Sequence, residues 1–89
     1  MTMHYKPKAD LIETDLDTEL ALLDPTTQAM FSLNKTGRLV WQSLTEKGVI
    51  GAAQSVATYF DIDLEQAEKD TLSLVEDLLE VGLLEATQS

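Results

Sequence analysis

The change of hydrophobic period at Asn34 constrains the fold of this chain more than any other feature of its sequence. Residues 29–33 (AMFSL) alternate in a way that is typical of a strand with one buried face. After Asn34 the apolar residues, which include the only tryptophan, Trp41, recur at the spacing of one helix face. The side-chain oxygen of Asn34 can accept a hydrogen bond from the first helical turn. The sequence therefore predicts a strand that leads directly into a helix, and Gly48 is the predicted C-terminal cap.

Turn-forming residues before this strand predict a meander of three short antiparallel strands. Residues 15–18 (DLDT) and 24–27 (DPTT) have the composition of turns. The strands predicted around these turns cover residues 9–14, 19–23 and 29–33. Residues 1–7 are predicted to be a flexible arm.

Two further helices are predicted after Gly48. Residues 52–60 carry apolar side chains at helical spacing and no charge until Asp61. The last helix is predicted to begin with a capping box of Asp63 and Gln66 and to end at Gly82. Its main apolar face is formed by Leu64, Ala67, Thr71, Leu74, Val75 and Leu78. Leu72 and Leu79 widen this face, which indicates either cover for a sheet edge or the wall of a groove.

Length and charge limit the classes of function that the chain can have. Its 89 residues suit one domain, residues 1–89, and sixteen acidic against six basic residues give a net charge of −10. This charge disfavours nucleic acid and anionic membranes as partners and favours neutral or basic peptides. The sequence has no cysteine, no signal-like N-terminus and no apolar run near the roughly 20 residues of a membrane span. We expect a soluble, cytoplasmic protein.

The residues that enzymes use for chemistry are scarce. His4 is the only histidine, and the sequence contains no glycine-rich phosphate loop. The nearest approach to a calcium loop, residues 15–17 (DLD), lacks the remaining ligands of such a loop. We therefore expect no enzyme activity, no cofactor and no metal.

Two other classes of small non-catalytic protein compete as interpretations of this sequence. A DNA-binding winged helix would read DNA with the last helix, where Lys69 is the only base among six acidic residues. The basic residues of the first helix, Lys35, Arg38 and Lys47, do not offset that charge. An acidic carrier protein needs a serine for a prosthetic arm at a helix start, whereas Ser43 lies in the middle of a predicted helix. A DNA-binding domain or another protein–protein adaptor remains the alternative.

Three segments in a fixed order resemble the PqqD family, whose fold is also called the RiPP recognition element. Residues 31–37 (FSLNKTG) followed by Trp41 resemble the family core Tyr-x-Leu-Asn-x-Thr-Gly-x-x-x-Trp. Residues 22–25 (LLDP) resemble the family's Leu-Leu-Asp-Pro hairpin, and residues 78–84 resemble its closing Leu-x-x-x-Gly-Leu-Leu. Phe31 replaces the family's tyrosine, so a hydrogen bond from that hydroxyl is lost and packing is the expected role.

The resemblance implies an α+β, winged-helix-like fold in which a three-stranded antiparallel sheet is followed by a three-helix bundle. It also implies a non-catalytic protein that binds the leader segment of a ribosomally synthesised precursor peptide by β-strand addition. The implied enzyme partner is a radical-SAM enzyme in pyrroloquinoline quinone biosynthesis or a leader peptidase in lasso peptide biosynthesis. We favour the lasso-type pathway, because stand-alone copies of this domain are used there.

The implied binding site lies between the third strand and the last helix. An exposed edge strand offers unpaired amides and carbonyls to a guest strand, and we expect the outward-facing positions to be Met30 and Ser32. The residues nominated for peptide binding are Met30, Phe31, Ser32 and Leu33 on the strand and Leu72, Val75, Glu76 and Leu79 on the helix. The hydrophobic pattern alone also places Phe31, Leu33 and Val75 in the core.

Overall fold

Residues 3–88 are described by a computed structural model that contains two small sheets and two helices. The elements, in chain order, are β1 Met3–Pro7, β2 Ile12–Asp15, β3 Leu20–Leu23, β4 Met30–Leu33, α1 Lys35–Phe60, α2 Leu64–Glu80 and β5 Leu84–Gln88. Neither helix of this part of the chain combines the length and apolar character needed to cross a membrane.

The predicted three-stranded antiparallel meander is confirmed, in the order β2-β3-β4. Each strand spans four residues, so each is shorter than predicted. The register pairs Leu20 with Leu33 and Leu22 with Phe31, which puts these four side chains on one face of the sheet. Leu20, Leu22 and Leu33 are buried there, and this face forms the sheet side of the core.

A second sheet joins the two ends of the described chain. β1 pairs antiparallel with β5, from Met3 opposite Gln88 to Pro7 opposite Leu84. Residues 3–7 of the predicted arm therefore form a strand, while residues 1 and 2 lie outside the described part. Tyr5 is partly buried against the core, which gives β1 a packing contact besides its pairing.

The prediction of a three-helix bundle is wrong, because residues 35–60 form one element, α1, with a kink at Gly48, and residues 3–88 contain two helices. Gly48 has φ 72° and ψ −176° inside α1, and helical structure resumes at Val49. Since one glycine with positive φ absorbs the whole change of direction, no loop separates residues 35–47 from residues 49–60. The winged-helix likeness stays a prediction.

The two predicted N-terminal helix caps have different outcomes. Asn34 caps α1 as predicted, and its Oδ1 accepts a hydrogen bond of 2.9 Å from the Gly37 amide. The capping box predicted at Asp63 is wrong, because the Asp63 side chain makes no cap hydrogen bond. Gln66 Nε2 instead donates to Asp70 Oδ1, 2.9 Å away, one turn further along α2.

Trp41 connects α1 to the sheet. Its side chain is 5% exposed, and its Nε1 donates a hydrogen bond of 3.1 Å to Glu13 Oε1 on β2. Around it the core joins the sheet to both helices and β5. The buried apolar residues are Leu20, Leu22, Leu33, Val40, Trp41, Leu44, Ala52, Ala53, Val56, Ala67, Val75, Leu78, Leu83 and Leu84.

Candidate functional site

β4 has a free backbone edge. In the sheet order β2-β3-β4 it pairs only with β3, and its other side has no partner strand in residues 3–88. An unpaired edge presents a row of N–H and C=O groups that another extended chain can bind. β2 lies at the opposite edge of the same sheet, so the edge alone does not define a site.

The hydrogen bonds at the turn before β4 show which residues point their backbone groups outward. Asp24 N donates to Ala29 O at 2.9 Å, and these two residues are the next opposed pair in the β3–β4 register. Bonded and non-bonded pairs alternate along an antiparallel ladder, so Phe31 bonds β3 and its two neighbours do not. The N–H and C=O groups of Met30 and Ser32 therefore face the free edge.

A groove of about 460 Å³ lies beside this edge and distinguishes β4 from β2. On the strand side it is lined by Phe31, Ser32 and Leu33. On the helix side the lining comes from Asp70, Ser73, Leu74 and Asp77 of α2. The groove is therefore bounded by a strand edge on one side and a helix on the other.

Gly37 lies in the groove lining close to both walls. A Cβ atom on this residue would lie 3.2 Å from Leu33 Cδ2 and 3.4 Å from Leu74 Cδ2. The Asn34 cap holds the Gly37 amide, so the strand end and the first turn of α1 have a fixed relation. A side chain at position 37 would press on both walls, which explains why glycine suits this position.

The charged residues of the lining are all acidic. Glu19, Asp70 and Asp77 contribute carboxylates, and the residues that line the groove include no lysine, arginine or histidine. Asp70 accepts a hydrogen bond from the Gln66 amide group. At neutral pH the groove therefore favours cationic over anionic side chains.

Two ion pairs hold segments near the site: Lys8 with Asp24 at the turn before β4, and Arg38 with Asp15 at the end of β2. The hydrogen bond from the Lys8 ammonium lowers the pKa of Asp24 to about 2, with a further contribution from the Thr26 amide, 2.9 Å from Asp24 Oδ1. Asp24 is almost fully buried at the start of the turn that precedes β4. Arg38 Nη2 donates to Asp15 Oδ2 at 2.6 Å, and this bond lowers the pKa of Asp15. The second pair fastens the end of β2 to α1.

The strand half of the predicted site is brought together at the groove. Phe31, Ser32 and Leu33 line it, and Met30 lies next to them at the free edge with its side chain 72% exposed. Leu33 is buried, so it contributes to the wall while it also belongs to the core.

The helix half of the predicted site does not line the groove. Leu72, Val75, Glu76 and Leu79 are absent from the lining on α2. At roughly 100° per residue, Leu72 and Leu79 lie on the flank of α2 opposite to Asp70 and Asp77, with the buried core face between them. Val75 belongs to that core face, and Leu72 is 47% exposed.

The sequence did not nominate Asp70, Leu74 and Asp77 of α2, although their spacing is a recognisable pattern. Asp70 and Asp77 are one heptad apart, so they lie on the same side of the helix, and Leu74 lies between them. An apolar residue flanked by two carboxylates on one helix side is a signal that could have nominated them.

No group of three or more histidine, cysteine or acidic side chains in the part of the chain that the structure describes is arranged to hold a metal ion. The groove and the β4 edge together offer unpaired backbone groups, apolar side chains and negative charge. These features suit the binding of an extended peptide.

Comparisons with known proteins identify a family and similar structures for this chain. The family model described as coenzyme PQQ synthesis protein D (PqqD) matches residues 19–84. The structure described as TbiB1 in complex with the TbiA(beta) leader peptide is 26% identical, covers 90% of this chain and 94% of that one, and has a TM-score of 0.78. The structure of lasso peptide synthetase B1 complexed with the leader peptide is 24% identical, covers 92% and 98%, and has a TM-score of 0.82. No curated protein sequence matches the chain.

Proposed function

The chain belongs to the PqqD family, and we propose that it binds the leader segment of a ribosomally synthesised precursor peptide and presents it to an enzyme. The observation that carries this proposal is the free edge of β4 beside a groove that α2 closes on the other side. A leader peptide in extended conformation would add to the sheet as a fourth strand next to β4.

The backbone of the guest strand would bond to Met30 and Ser32. Each of these residues offers one N–H donor and one C=O acceptor at the free edge. A hydrogen bond of this kind contributes about 0.5–1.5 kcal/mol net, so the edge holds the peptide without reading its sequence. Alternate side chains of the guest would enter the groove between β4 and α2, and these give selectivity.

The related structures support the proposal. TbiB1 and lasso peptide synthetase B1 are both described in complex with leader peptides. Their fold likeness extends over 90% and 92% of this chain. For this chain we place the guest against Asp70, Ser73, Leu74 and Asp77, because these α2 residues face the strand edge.

The enzyme partner that we favour is a leader peptidase of a lasso peptide pathway. A radical-SAM enzyme, as in pyrroloquinoline quinone biosynthesis, is the other candidate. In either pathway the protein acts by holding the peptide, and the modifying or processing chemistry belongs to the partner enzyme.

The test is a calorimetric titration of the purified protein with the synthetic leader segment of the precursor peptide encoded beside its gene. We expect one-to-one binding, and no binding of a peptide with the same composition in scrambled order. Absence of binding by the leader, or equal binding of the scrambled peptide, would contradict the proposed function.

Two leucine variants of α2 show which side of the helix takes part. Leu74→Ala removes a groove-lining side chain and should weaken binding at least about fivefold. Leu72→Ala, the matched control on the opposite flank, should leave the affinity within about twofold of wild type. Circular dichroism confirms that both variants fold. The reverse result would place the peptide against Leu72 and Leu79, the leucines nominated by the family resemblance.

A further inference from the structure

We infer that the peptide held in this groove is basic, with a lysine or arginine beside an apolar residue at the groove-facing positions. This inference rests on the proposed function and specifies the chemistry of its ligand. It follows from the distribution of charge around the groove and from the spacing of its carboxylates.

Within residues 3–88, no ion pair neutralises the three groove carboxylates. The ion pairs of residues 3–88 join Lys6 to Glu85, Lys8 to Asp24 and Arg38 to Asp15, and none of them involves Glu19, Asp70 or Asp77. The Gln66 amide that donates to Asp70 carries no charge. A bound peptide without cationic side chains would displace water from these carboxylates and form no ion pair with them. Such binding is unfavourable.

The spacing along α2 fits alternate residues of an extended strand. Asp70 and Asp77 are seven residues apart, which corresponds to about 10 Å along the helix, and Leu74 lies between them. Side chains on one face of a strand repeat about every 6.7 Å. We place an apolar side chain of the peptide against Leu74. A lysine or arginine two positions before or after it then has a side chain long and flexible enough to reach Asp70 or Asp77.

The remaining basic residues do not occupy the groove. Lys35, Lys47 and Lys69 are absent from its lining, although Lys69 is next to Asp70 in the sequence. The charged residues of the lining are thus all acidic, and Phe31, Leu33 and Leu74 supply its apolar part. An acidic leader would be repelled by these carboxylates.

The experiment is selection from a displayed library of random 12-residue peptides with the wild-type protein as bait. Enriched peptides are synthesised and titrated into wild type and into the double variant Asp70→Asn/Asp77→Asn. The control is Glu65→Gln/Glu68→Gln. It also removes two negative charges from α2, but at exposed residues that do not line the groove. Amide hydrogen exchange at Met30 and Ser32 reports whether each peptide binds along β4.

We expect enriched peptides to carry lysine or arginine two positions from an apolar residue and to slow exchange at Met30 and Ser32. Each of two groove ion pairs is partly solvated, so the Asn double variant should bind about fivefold to tenfold more weakly. The Gln control should stay within about twofold. The wild-type affinity should fall as sodium chloride is raised, and this dependence should be smaller for the Asn variant.

The inference and the proposed function fail in different ways. Peptides that slow exchange at Met30 and Ser32 but show no basic enrichment, or bind the Asn variant as tightly as wild type, overturn the inference alone. If no peptide is enriched, the inference is overturned. If enriched peptides leave exchange along β4 unchanged, the proposed function is overturned as well.

Discussion

A proline placed at Ser32 should weaken peptide binding while the protein still folds. Ser32 is exposed, and its N–H faces the free edge, so proline there removes a donor that the β3–β4 ladder does not use. The guest carbonyl opposite loses its partner. The expected loss is about 1.4 kcal/mol, one net hydrogen bond, which corresponds to roughly tenfold weaker binding.

Proline at Phe31 should have the opposite effect. Phe31 is opposite Leu22 in a bonded pair, so this change removes a ladder hydrogen bond and a half-buried ring. We expect the free energy of unfolding to fall by at least about 3 kcal/mol. Ser32→Ala and Phe31→Ala are the matched controls, because each removes the side chain and keeps the amide donor.

The assay combines calorimetric titration with a peptide that wild type binds and urea unfolding followed by circular dichroism. The comparison of each proline variant with its alanine control isolates the effect of the lost donor. A folded Ser32→Pro protein with wild-type affinity would refute the assignment of the outward-facing residues. So would a Phe31→Pro protein that is as stable as Phe31→Ala.

Three further outcomes are expected. Trp41→Ala should lower the free energy of unfolding by about 3–5 kcal/mol, because the indole is buried and donates a hydrogen bond to Glu13. An unchanged melting temperature together with lost peptide binding would contradict this. The pKa of Asp24 is lowered from 3.8 to about 2 by Lys8, so its ionised form stabilises the fold above about pH 4. The difference in melting temperature between wild type and Asp24→Asn should then shrink as the pH falls from 4 towards 2, and a constant difference would argue against it. Duplex DNA should give no retarded band at physiological salt, because α2 is acidic, whereas a band that fades with added salt would show DNA binding.

Signals that depend on neighbouring residues were readable from the sequence. The alternation of residues 29–33 predicted β4, and Asn34 forms its predicted cap on α1. The turn at residues 24–27 also appears where its composition predicted it, before β4. In each case the residues that produce the signal also make the contact, so no distant part of the chain was needed.

Features that depend on distant contacts were not readable in this way. β1 finds its partner β5 at the far end of the chain, and no local pattern identifies such a pairing. Gly48 has the residue type of a helix end and does leave helical geometry, with φ 72° and ψ −176°, yet helical structure resumes directly after it. The site also depends on distant contacts, because burial of Val75 and Leu78 fixes the rotation of α2. That rotation turns Asp70 and Asp77 towards β4 and leaves Leu72 on the other flank.

The pairing of β1 with β5 brings the two ends of the described chain together. Met3 and Gln88 are directly opposed, and the Cα atoms of such a pair are about 5 Å apart. A short linker could therefore join residues 3 and 88, and new ends could be opened in the exposed connection at residues 61–63. A circular permutant built in this way would keep β4, α2 and the groove on unbroken segments. For the same reason the domain could be inserted into a surface loop of an enzyme as a unit, with both connections leaving from one place.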